Sequence, residues 1–162
     1  MIKLNRTSEY GLMALRHMSR KSPIVTSARE IADSYGLPFE ITAKTLQRLK
    51  DSGLIQSAQG ARGGYTLNRA LEDISLSEFL RLMEGEQAIV ACATGAIGAE
   101  PTGCEYTGKC ELKHLMGGLN ARVQAFLGGI TLSEIAGTGP VAPMTELPLI
   151  KETANEISNL SR

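Results

Sequence analysis

The sequence predicts a mainly α fold with a small β-hairpin wing, that is, a winged helix-turn-helix followed by one long helix. Three observations carry that prediction. Three segments of helical apolar spacing fill the first 53 residues. A glycine-rich turn between two short apolar arms follows them, and near residue 111 a second long helical stripe begins.

The first helix spans Thr7 to Arg20, with Tyr10, Met13, Ala14, His17 and Met18 at helical spacing and Thr7 or Ser8 as the cap. Pro23 ends it. "TSAREIADSYG" opens the second helix, with Thr26 or Ser27 as N-cap, Glu30 near the third position and Ile31, Ala32 and Leu37 inward. Gly36-Leu37-Pro38 is a tight turn. "EITAKTLQRLKDSG" then forms a third helix ending at Gly53. Ile41, Thr45, Leu46 and Leu49 are read as its inner face, and Thr42, Ala43, Lys44, Gln47 and Arg48 as its outer one. In "LIQSAQGARGGYTLNR" the arms Leu54-Ile55 and Tyr65-Leu67 flank a glycine-rich tip, the signature of a hairpin.

"ISLSEFLRLMEGE" is a fourth helix, starting near Ser75 with Glu78 in capping-box position. From Gln87 to Lys109, five glycines and prolines (Gly95, Gly98, Pro101, Gly103, Gly108) break any regular element. The long helix runs from about Glu111 to Gly128. Its stripe of Leu112, Leu115, Met116, Leu119, Val123, Phe126 and Leu127 needs a partner surface. Pro140, Pro143 and Pro148 mark a tail. The division that follows is 1–84 winged domain, 85–110 cysteine loop, 111–136 long helix, and 137–162 a partly mobile tail.

Charge is distributed unevenly. Residues 1–69 hold 11 Lys and Arg against 5 Asp and Glu, while residues 70–162 hold 6 against 12. A basic N-terminal half suits phosphate neutralisation. With no apolar run of membrane length and no apolar signal core, the chain is expected in the cytoplasm. Two histidines, no acid–base constellation and no phosphate loop leave no catalytic candidate. "GARGG" is too short for a P-loop and sits in a hairpin.

Bases are read in the major groove by small, polar and cationic side chains on an exposed helix face. Thr42, Lys44, Gln47 and Arg48 meet that need, and Ala43 suits a thymine methyl group. Arg62 at the wing tip suits a phosphate or the minor groove. Ser27 and Tyr65 complete the candidate contacts with double-stranded DNA.

The string "GARGGYTLNRALEDISLSEFLRLMEG" closely resembles the wing and following helix of the Rrf-two family of bacterial winged-helix transcriptional regulators, which includes iron–sulfur and nitric-oxide sensors. "LNRTSEYGLMAL" and "CELKHLMGGLNARVQAFLGGITLSEI" resemble that family's first and dimerisation helices, so the likeness reaches from residue 1 to about 136. It implies a homodimeric repressor on a pseudo-palindromic operator, with the long helices paired across the two-fold axis.

Cys92, Cys104 and Cys110, in the spacing C-x11-C-x5-C, are the chain's three cysteines. Thiolates are the usual ligands of iron–sulfur clusters, and an odd, clustered count argues against a disulfide framework. The C-x5-C portion matches the resembled family, whereas the first gap is longer. A fourth ligand is needed for a 2Fe-2S or 4Fe-4S cluster. The resemblance offers Glu9, from the partner subunit, and His114 is the alternative. Zinc in a Cys3His site, a cluster-free thiol switch and incidental thiols are the other readings. A further alternative is a metal- or redox-dependent protein-interaction module that uses the winged fold without DNA.

Overall fold

The computed structural model describes residues 4–59, 63–86, 88–89 and 110–139. Among these residues, six helices, α1 (Arg6–Lys21), α2 (Ala28–Tyr35), α3 (Phe39–Asp51), α4 (Leu76–Glu84), α5 (Lys113–Gly128) and α6 (Leu132–Ala136), accompany strands β1 (Ile55–Ala58) and β2 (Gly64–Leu67). A 3-10 turn at Leu71–Asp73 joins β2 to α4.

At α3 and α5, which follow Pro38 and Leu112, no side chain caps the start, but each of the other four helices begins where a polar side chain takes an orphan backbone donor. For α1 that residue is Asn5, whose Oδ1 accepts from the Ser8 N–H at 2.8 Å, rather than Thr7 or Ser8. Asn5 stays in extended backbone while Thr7 and Ser8 already lie inside the helix. The Ser27 hydroxyl accepts from the Glu30 N–H at 3.1 Å and starts α2. Ser75 does the same for α4 with the Glu78 N–H. The Glu78 carboxylate does not close a capping box, because Arg69 takes it at 2.6 Å. The box is complete at α6, where Thr131 and Glu134 exchange bonds.

The core lies where α1, α3 and α4 meet β1 and α6. Leu15, Ile31, Leu46, Leu49, Leu54, Ile74, Phe79, Met83 and Leu132 are fully buried. Gly11 lets α1 approach α4 closely: a Cβ there would lie 3.2 Å from the Phe79 ring. Gly36, at φ +63°, turns the chain between α2 and α3 in a conformation costly for any other residue.

β1 and β2 pair antiparallel, with Ile55 opposite Leu67 and Ser57 opposite Tyr65. Thr26, just before α2, adds a short third rung by exchanging two backbone bonds with Tyr65, at 3.0 and 2.8 Å. Gly64 makes that approach possible, since a Cβ would meet the Thr26 carbonyl oxygen at 2.7 Å. The wing is thereby tied to the start of the helix-turn-helix.

After α5 the chain returns to the winged domain. The Leu132 N–H donates to the Ile74 carbonyl at 2.9 Å and the Leu76 N–H to the Ile130 carbonyl at 2.8 Å. Residues 132–136, grouped with the long helix from sequence, thus supply core side chains instead. In contrast, α5 itself contains no buried residue. No helix among the described residues is long and apolar enough to cross a membrane. The tail beyond residue 139 lies outside the described residues.

Candidate functional site

The helix α3 is held by its inner face and offers the outer one. Thr42, Thr45, Leu46 and Leu49 are buried, following the i, i+3, i+4, i+7 spacing of one helical stripe. This corrects the reading of Thr42 as an outward DNA contact. The residue is 1% exposed, and its hydroxyl donates to the Pro38 carbonyl at 3.0 Å. Ile41, assigned inward from sequence, is 42% exposed. The helix starts at Phe39, and this phase pairs Thr42 with Leu46 and Leu49 on the core side.

Lys44, Gln47 and Arg48 are exposed, and Ala43 is half-buried beside them. Lys44 and Arg48 have no carboxylate partner among the described residues. Gln47 is partly committed, its Nε2 donating to the Asp51 Oδ1 at 2.8 Å. Ser27 is half-buried and spends its hydroxyl as the α2 cap. Tyr65 is half-buried in β2, with its backbone bound to Thr26. Arg62 lies outside the described residues.

A contact that sequence reasoning missed joins α2 to α3. The Arg29 guanidinium lies over the Phe39 ring, 4.3 Å from its centroid. Arginine and phenylalanine ten residues apart fit no helical spacing, so only the turn between the helices brings them together. Another tie fixes α2 to α1: Glu30 accepts from Lys21 and contacts the His17 Nε2 at 3.2 Å. The His17 ring meets Tyr35 edge-on at 5.6 Å. Lys21, and then His17, hold the Glu30 carboxyl below its ordinary value, against a smaller opposing effect of burial.

The thiol site is described only in part. Cys110 is half-buried, and its carbonyl accepts from the Lys113 N–H at 3.3 Å, so the thiol stands at the head of α5. His114 is exposed in the first turn of α5, and Glu9 is exposed in the first turn of α1. Cys92 and Cys104 lie outside the described residues. Among the described residues no three His, Cys, Asp or Glu side chains gather as a metal site. Two polar side chains on α5 face the chain's own elements. Asn120 Oδ1 accepts from the Ile89 N–H at 3.2 Å, and Gln124 Oε1 accepts from the Ser77 hydroxyl at 2.9 Å.

Comparison with known proteins agrees with this architecture. Residues 4–138 match the family described as Rrf2, iron-dependent transcriptional regulator. The HTH-type transcriptional repressor NsrR of Streptomyces coelicolor is 30% identical over 145 residues, covering 84% of this chain and 93% of that protein. CymR, the global cysteine regulator of B. subtilis, superposes with a TM-score of 0.64 at 24% identity, over 86% of this chain and 100% of that one. IscR of T. potens has a TM-score of 0.60 at 22% identity, over 90% and 93% of the two chains. The chain therefore belongs to the Rrf2 (Rrf-two) family of transcriptional regulators.

Proposed function

We propose that this chain is a homodimeric, DNA-binding transcriptional repressor, not an enzyme, whose operator affinity is set by an iron–sulfur cluster on Cys92, Cys104 and Cys110. The observation that carries the DNA reading is the outer face of α3, where Lys44 and Arg48 are exposed and, among the described residues, free of carboxylates. Cations left unpaired on a recognition helix are available to phosphates and guanine edges. The basic N-terminal half supports the same reading.

The donor chemistry suits iron. Three thiolates are soft ligands of the kind clusters require, and a carboxylate from Glu9 of a second subunit, or the His114 imidazole, completes four. Of these, Cys110 sits half-buried at the head of α5, beside exposed His114. A bound cluster would supply a fixed link between the cysteine loop and the helix heads. The chain's own residues do the rest. Asn120 anchors the loop entrance at Ile89, and Gln124 anchors α4 through Ser77, so loop position and α5 are coupled. The spacing of the two recognition helices follows α5, and a coupling of about 1–3 kcal/mol is enough for a regulatory switch. Redox state, nitric oxide and iron–sulfur status are the signals this donor set fits.

The decisive measurement is an anaerobic ultraviolet-visible spectrum of reconstituted protein. Visible charge-transfer absorption is expected, lost on Cys92→Ala, Cys104→Ala or Cys110→Ala. Colourless protein after reconstitution sinks the cluster and leaves zinc, a thiol switch or incidental thiols. Duplex binding should fall steeply with salt and weaken at least several-fold in Lys44→Ala or Arg48→Ala. Absence of duplex binding would favour a protein-interaction module.

A further inference from the structure

Arg29 stands in the first turn of α2, two residues beyond the Ser27 cap, with its guanidinium over the Phe39 ring. Phe39 opens α3 and is 40% exposed. The stack therefore spans the seam between the two helices of the helix-turn-helix. Acidic groups are close along the chain: Asp33 is one turn further along α2, and Glu40 follows Phe39. Arg29 pairs with neither of them, nor with any other carboxylate among the described residues. Stacking on an aromatic face orients a guanidinium without consuming its N–H edge or its charge. A carboxylate partner would consume both.

We propose that Arg29 is a DNA-phosphate contact positioned by Phe39, so that the duplex is gripped at the α2–α3 seam as well as along α3. The proposal rests on the duplex-binding reading above. Phosphate is the anion that matches a pre-oriented guanidinium, since two parallel N–H groups meet two of its oxygens. The stack also presents its cation beside Ser27 on α2 and at the start of the helix that carries Lys44 and Arg48. A purely structural stack would hold the two helices together without touching DNA. Salt dependence separates the roles, because a phosphate contact releases a condensed counterion and a packing contact does not.

The test uses the full chain and a duplex that the wild-type protein selects from a randomised pool, with affinity measured over a range of sodium chloride concentrations. Arg29→Ala should weaken binding about tenfold and lower the slope of log K against log salt by about 0.9 for each Arg29 lost. Arg29→Lys should keep the slope but bind several-fold more weakly, since an ammonium neither stacks flat nor donates in parallel. Phe39→Leu should leave the slope unchanged and lose affinity, because the cation remains but is no longer oriented. An Arg29→Ala protein with wild-type affinity and slope, when Lys44→Ala is weakened, overturns the contact and leaves the DNA reading standing. Weaker binding with an unchanged slope and a lower melting temperature shows a helix staple and also overturns it. Failure of the wild type to select any duplex overturns both readings.

Discussion

The Thr42 hydroxyl and the Thr42 N–H both bind the carbonyl of Pro38, each at 3.0 Å, within the buried face of α3. Because the backbone bond remains when the hydroxyl is removed, Thr42→Val leaves no orphan acceptor and keeps the branched shape. Its expected stability change is below about 1 kcal/mol, with duplex affinity within twofold of wild type. Thermal melting and a binding titration check both. A large affinity loss with an unchanged melting temperature would put the hydroxyl on DNA after all. From sequence alone, Thr42 and Ile41 were interchangeable, since both are β-branched and adjacent. The contest was decided by whichever of them shares a stripe with Leu46 and Leu49. A hydroxyl can enter that stripe because the helix itself supplies its acceptor.

Among the elements, the attachment of α2 to α1 rests on a short polar network. Glu30 accepts from Lys21 and His17, and its carboxyl titrates below its ordinary value of about 4.5. A depressed carboxyl value means that the folded state favours the ionised form. The stabilisation is complete above the ordinary value and is lost as pH falls through the lower, folded value. Glu30→Gln should therefore reduce the urea midpoint at pH 7, and the gap to wild type should close as pH drops below about 4.5. An equal gap at pH 7 and in acid would show that the carboxylate charge is irrelevant to the tie. The element boundaries themselves were largely legible, because Ser27, Ser75, Gly36 and Gly53 are local signals with local causes. The network was not, since residues 17, 21 and 30 meet only after the chain has turned at Pro23.

At the scale of the molecule, α5 buries no residue fully: Met116, Val123 and Leu127 are half-buried, Leu127 against the core, and the rest of its apolar stripe is open. Leu115 is 64% exposed and Leu119 is 42% exposed, with Leu112 and Phe126 also open. Leaving such a stripe in water is unfavourable by about 25 cal/mol per Å2 of apolar surface, so a second copy of the helix is the proposed cover. A Leu115→Glu/Leu119→Glu double variant should then sediment as a folded monomer and bind duplex at least tenfold more weakly. Since the winged core does not depend on those side chains, its helical circular dichroism should persist. A variant that remains dimeric would move the pairing surface elsewhere. The return of α6 into the core ties the end of α5 to the winged domain, through Thr131 and Leu132.

By itself the sequence determined the succession of helices and wing, the exposed cations Lys44 and Arg48, and the apolar stripe of α5. These features follow from periodicity, caps and turn residues, all of which act over a few positions. Tertiary structure alone decided that Thr42 is internal, that α6 belongs to the core, and that Arg29 lies on Phe39. Each depends on which surfaces meet across a turn, and short-range spacing carries no information about that.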